Sequence, residues 1–185
     1  MRRFHETVFI LIIVTLLTGS TIFCEPVQAG RSSWEAGVRG GWSFNEEDES
    51  FSQIDLFVNY GLPWSWLWGS AVQVDTQLTA AIGILDGAGD EGVAGSLGFE
   101  FVFGSSSGKC PFQLRAGSAL TLISEDEYGD EDLGGPVQFT HNISLYYWLL
   151  ENLSTVARVQ HMSNADLYSE NPGVNMVMLS LVYRF

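Results

Sequence analysis

The sequence predicts an all-β chain: an eight-stranded antiparallel transmembrane β-barrel behind a cleaved leader. Three observations carry this. Eight segments of about ten residues alternate apolar and polar side chains with period two, and about ten residues is the span of a tilted strand across a bilayer. Gly- and acid-rich stretches separate them. Trp34, Trp42, Trp64, Trp66, Trp68 and Trp148 fall near segment ends, where an aromatic girdle meets the membrane interfaces.

The leader comes first. Arg2 and Arg3 precede an apolar run over 8–17, and Val27-Gln28-Ala29 supplies small residues for cleavage after Ala29. The run is half the length of a spanning helix. Residues 1–29 are therefore read as a secretory signal peptide and 30–185 as one outer-membrane barrel. The leader takes Arg2, Arg3, Glu6 and Glu25 with it, so the net charge of −14 is unchanged. Only Cys110 remains after cleavage, which excludes an internal disulfide. No basic patch exists, which argues against nucleic acid as a partner.

The strands are expected at 33–44, 51–60, 70–84, 93–103, 111–123, 136–149, 153–163 and 174–185. In the second, Ile54, Leu56, Val58 and Tyr60 share a face opposite Gln53, Asp55 and Asn59. In the fourth, Leu97, Phe99, Phe101 and Phe103 oppose Ser96 and Glu100. The last carries an unbroken row: Val177, Leu179, Leu181, Tyr183 and Phe185. That terminal phenylalanine resembles the signal by which outer-membrane barrels are recognised for insertion. By parity Glu35, Asp55, Asp75 and Glu100 share the polar face with Arg39, Arg115 and Arg158. Charges at mid-strand suit a narrow lumen where they pair, because an unpaired buried charge is costly. The apolar face then meets lipid.

Even strand number puts both termini on the periplasmic side and the connections after strands one, three, five and seven outside, where the longer loops belong. Those connections hold most of the acids, including Glu46-Glu47-Asp48-Glu49 and Glu125-Asp126-Glu127, and no lysine or arginine. Solvation explains such loops. Divalent cations bridging them to anionic headgroups are the sharper reading, since hard cations prefer oxygen ligands. No spacing matches a calcium loop, so no metal site and no cofactor is nominated.

The seventh strand raises a chemical question. Arg158 and Gln160 belong in the lumen, which turns His161 and Ser163 outward at the strand's outer end. Asn175 has outward parity at the top of the eighth, where the hairpin can bring it near them. A base, a nucleophile and a third polar group facing lipid would act on a lipid ester near the headgroups. Asn164 or nearby backbone N–H groups would serve as oxyanion donors. His141, outward on the sixth strand with no partner visible in the sequence, reads as structural.

His161-Met162-Ser163-Asn164-Ala165, followed by Gly173, resembles the lipid A 3-O-deacylase (PagL) family. The specific part spans about 25 residues of this sequence, from Arg158 through Tyr183. The resemblance implies an eight-stranded outer-membrane barrel that hydrolyses an ester-linked 3-hydroxyacyl chain of lipid A, or of lipopolysaccharide, without a cofactor. It implies His161 as base, Ser163 as nucleophile and Asn164 as oxyanion helper, with the active site on the last two strands. Asn175 stands where the family pattern has glutamate, and Asp166 and Glu170 are nearby carboxylates that could replace it. The alternative is a non-catalytic barrel of the same fold with a structural or lipopolysaccharide-binding role. A homodimer is compatible with either.

Overall fold

The computed structural model describes residues 33–44, 50–108 and 110–185. The expected leader, 1–29, and the acids at 46–49 lie outside the described residues. Eight long strands close a barrel: β1 (Trp34–Ser43), β2 (Phe51–Trp68), β3 (Val72–Gly87), β4 (Asp90–Ser105), β5 (Phe112–Ile123), β8 (Val137–Trp148), β9 (Leu153–Ser163) and β10 (Val174–Arg184). Two short strands, β6 (Glu127–Tyr128) and β7 (Glu131–Asp132), form a separate hairpin in the connection between β5 and β8. Every neighbour in the barrel is antiparallel, and β1 closes on β10 with Glu35 opposite Arg184 and Ser43 opposite Met176. Closure leaves no unpaired edge, the condition for a sheet to cross a membrane.

The alternation resolves as expected. Ile54, Leu56, Leu97, Phe99, Ile143, Val159 and Leu181 project from the outer wall and are exposed, forming the lipid-facing belt. The inner wall carries Glu35, Arg39, Asp55, Glu100, Arg115 and Arg158, all buried. Arg115 grips Glu35 with two bonds, Nη1 to Oε2 at 2.7 Å and Nη2 to Oε1 at 3.1 Å. Arg184 donates to the same carboxylate at 2.8 Å. Arg39 meets Asp55 at 2.7 Å, and Arg158 meets Glu100 at 3.3 Å. Asp75 departs from this pattern. It is half-buried and accepts from Gln73, while Arg184, at the far end of β10, takes the place expected of another partner.

Side chains fill the lumen. Among the described residues, two voids between the central charges are about 10 Å³ each, room for roughly one water. At the end that carries the long loops, Phe51, Leu85, Met162, Val174 and Met176 form an apolar cluster with Tyr128 and Leu133 from the β5–β8 connection. That connection thus folds back over the barrel mouth. Burial pushes the Tyr128 phenol up to about 12, and the carboxylates of Glu125, Asp126 and Asp86 add to the shift.

Four expectations need correction. Strand two does not stop at 60: it runs to Trp68 through an irregularity between Gly61 and Ser65. Pro63 falls inside that irregularity, so its missing N–H costs no ladder bond. The second outer connection is not long. Ala88 and Gly89, at φ of 56° and 92°, make a two-residue turn of the kind that suits hairpin twist, and Asp86, Asp90 and Glu91 pair along the strands beside it. Trp148 is no girdle residue, because it points inward under the Arg184 guanidinium, 3.7 Å from the ring centroid. His141, read as lacking a partner, has one and is described below.

Candidate active site on the lipid-facing wall

Register builds the site. The short turn at 149–152 joins β8 to β9, and the ten-residue connection at 164–173 joins β9 to β10. In the resulting ladders His161 lies directly opposite Asn175 on one side and opposite His141 on the other. His161 is exposed, on the same outward parity as Ala157 and Val159. Its Nδ1 is 2.9 Å from Asn175 Oδ1. An amide oxygen can only accept, so this contact fixes the tautomer with the proton on Nδ1 and leaves Nε2 with its lone pair.

The ring is held from behind by absence of a side chain. Gly173 has φ of +71°, and a Cβ there would lie 2.9 Å from His161 Cε1. Glycine is thus required twice over, for the left-handed backbone and for the close approach. Ser163 is half-buried, next on the same face and opposite Phe139 of β8. Among the described residues no hydrogen bond joins Ser163 to His161.

Asn164 lies elsewhere than its neighbour. It is fully buried, with Nδ2 donating to Leu133 O at 2.9 Å and to Glu170 O at 2.6 Å. Its backbone N–H donates to Asn171 Oδ1 at 3.1 Å. The side chain therefore ties the β5–β8 connection to the β9–β10 connection beside Ser163. Gly134 lets the two approach, since a Cβ there would collide with Glu170 O. The chain leaves Asn164 through Ala165 and Asp166, both left-handed at φ of 54° and 60°. Such positions in non-glycine residues are strained and often border working sites. Asp166 accepts from Asn171 Nδ2 at 2.9 Å, and Glu170 is exposed, so neither carboxylate is at the ring where Asn175 sits.

One residue on this wall was not singled out as functional from the sequence. His141 Nδ1 is 2.7 Å from Ser118 Oγ of β5. Its signal was in the register of the hairpin: counting outward from the paired Trp148 and Ser154 puts His141 opposite His161.

A closed barrel with a polar constellation on its outer wall defines a class, the membrane barrel with polar side chains set toward lipid. The chain belongs to the lipid A 3-O-deacylase (PagL) family, whose model matches residues 52–184. Lipid A deacylase PagL of Bordetella bronchiseptica is 32% identical over 74 residues, which are 40% of this chain and 42% of that protein. The match thus spans less than half of that relative's length. Among solved structures, the crystal structure of the outer membrane enzyme PagL superposes with a TM-score of 0.68 at 20% identity, over 80% of this chain and 98% of the other. The N-terminal β-barrel domain of Pseudomonas aeruginosa OprF gives 0.51 at 18% identity, over 84% and 99%. These likenesses are of fold.

Proposed function

We propose that this protein is a serine esterase of the bacterial outer membrane that removes an ester-linked 3-hydroxyacyl chain from lipid A. The observation that carries the reading is the His161–Asn175 pair, 2.9 Å apart on the lipid-facing wall, with Ser163 next along the same face. Polar groups at lipid-facing positions are expensive, so a base oriented there has a use.

In this reading Ser163 Oγ turns to His161 Nε2, gives up its proton and attacks the ester carbonyl. The tetrahedral intermediate collapses as imidazolium returns the proton to the departing sugar hydroxyl. Water, deprotonated by His161, then releases the fatty acid from Ser163. Asn175 keeps the proton on Nδ1 but contributes no negative charge to the imidazolium. Asn164 serves as oxyanion donor only if one Nδ2 bond, to Leu133 O or Glu170 O, is exchanged for the substrate oxygen.

A second reading is a barrel that binds lipopolysaccharide without hydrolysing it. It draws on the neutral third residue and on the lack, among the described residues, of a hydrogen bond between Ser163 and His161. Incubating the refolded protein and Ser163→Ala with lipopolysaccharide, then weighing the lipid A by mass spectrometry, separates the two. Loss of one 3-hydroxyacyl chain with the native protein alone is expected. Intact lipid A from both, with both barrels folded, would leave the binding role.

A further inference from the structure

The outer wall carries more polarity than a serine, a base and its orienting amide require. Ser118 of β5, His141 of β8, His161 of β9 and Asn175 of β10 are successive partners in three adjoining ladders. They make one unbroken polar row across four strands. Leu120, Ile143 and Val159 flank it, all exposed to the lipid side. Phe99, opposite Ser118 in β4, ends the row on that side. The row is closed by two hydrogen bonds, Ser118 Oγ with His141 Nδ1 at 2.7 Å and His161 Nδ1 with Asn175 Oδ1 at 2.9 Å. Each histidine thus spends Nδ1 on its outer flank. Among the described residues neither Nε2 has a partner.

The row also slopes. Asn175 and His161 stand within two residues of the outer ends of their strands, whereas His141 is four from Val137 and Ser118 five from Ile123. At about 3.4 Å per residue on a tilted strand, Ser118 lies roughly 10 Å further from the loop end than Asn175. A lipid whose ester sits at Ser163 presents its acyl region there, below the headgroup. Charged phosphates do not reach that depth. The oxygens that do are neutral: chain hydroxyls and the carbonyls of neighbouring ester or amide linkages.

Building on the deacylase reading, we propose that His141, oriented by Ser118, is a specificity-determining contact whose Nε2 hydrogen-bonds a neutral oxygen in the acyl region of the lipid held at His161 and Ser163. A neutral imidazole suits this site because either tautomer offers one donor and one acceptor, and the Ser118 hydroxyl can complement both. Were the pair only structural, two apolar side chains would serve this wall at lower cost.

The test begins in a background that cannot turn over. Ser163→Ala and Ser163→Ala/His141→Leu are compared for affinity, in detergent micelles, toward a lipid A bearing 3-hydroxyacyl chains and toward its 3-deoxy analogue. The leucine faces lipid, and heat-modifiable mobility checks that both barrels are folded. Loss of the His141 contact is expected to weaken binding about tenfold, the size of one net hydrogen bond. A loss confined to the hydroxylated lipid assigns the oxygen to a chain hydroxyl. An equal loss with both lipids assigns it to a linkage carbonyl. Unchanged affinity for both overturns the proposal. With Ser163 present, His141→Leu should raise KM about tenfold and leave kcat within about twofold. A fall in kcat at constant KM would also overturn it, because His141 would then act on His161. If native protein fails to cleave but the binding loss is seen, the deacylase reading falls and the contact stands.

Discussion

At the scale of single residues, the proposed mechanism turns on Asn175, which sets an amide beside the base. An amide orients imidazole as well as a carboxylate does, yet leaves the developing imidazolium without a counter-charge. Asn175→Asp keeps the acceptor near its present position, 2.9 Å from His161 Nδ1, and adds that charge. The deacylation rate should rise roughly tenfold, well short of the about 10⁴ lost in the opposite exchange in a protease triad, because that loss comes from a wrong tautomer which the Asn175 oxygen already prevents here. A rate that falls would mean the amide's own hydrogens are needed at the site. His161, Ser163 and Asn175 were legible from local spacing and parity, because strand faces follow from counting by two. Two things were not. Asn164 follows Ser163 directly, but only the loops it ties together reveal that its side chain is buried. His141 stands twenty residues before His161 and gains meaning only when the hairpin folds (a relation across strands, which a linear pattern does not display).

At the scale of elements, all eight barrel strands were readable in number and place, since each had one lipid face and one lumen face, although the second runs eight residues past its expected end. What resisted was backbone whose pairing breaks that alternation. The second strand, expected to end at 60, continues through an irregularity between Gly61 and Ser65 that contains Pro63. The β6–β7 hairpin was hidden among acids, although its Tyr128 and Leu133 anchor it to the apolar cluster at the barrel mouth. Among the described residues the buried Tyr128 hydroxyl has no hydrogen-bond partner. Tyr128→Phe should therefore leave stability at neutral pH unchanged or slightly higher. The sign of its pH dependence follows from linkage. The folded phenol titrates near 12, above its ordinary 10.0, so its contribution is whole below pH 10 and is lost as pH climbs toward 12. In Tyr128→Phe the decline over that window should flatten, measured by urea unfolding across the alkaline range. An identical slope in both proteins would remove Tyr128 as its cause.

At the scale of the whole molecule, the lumen is a set of interlocked charges rather than a passage. Glu35 alone accepts from Arg115, Arg184 and Asn59. Glu35→Gln keeps the shape and strips the charge, leaving a buried guanidinium without its carboxylate. Breaking buried pairs of this kind costs about 3–5 kcal/mol, which should appear as a large drop in the urea midpoint with the slope preserved. An unchanged midpoint would show that the lumen admits enough water to hydrate Arg115. The charges were legible as lumen residues, but not their assignments, since parity gives the face and not the partner. Asp75 shows this, sharing the parity of the ion pairs yet bonding Gln73.

On the proposed reading, the position of His161 on the outer wall, rather than in the lumen, changes what concentration means for this protein. A substrate that meets the barrel from the side arrives by two-dimensional diffusion and is counted per unit of membrane area, not per litre. Diluting the target lipid with inert amphiphile, at constant bulk amounts of lipid and protein, should slow hydrolysis in proportion to its falling surface fraction. A rate that ignores the surface fraction would mean that substrate reaches Ser163 from water. For an outer leaflet packed with lipopolysaccharide, traffic within the sheet then becomes the quantity that sets the pace.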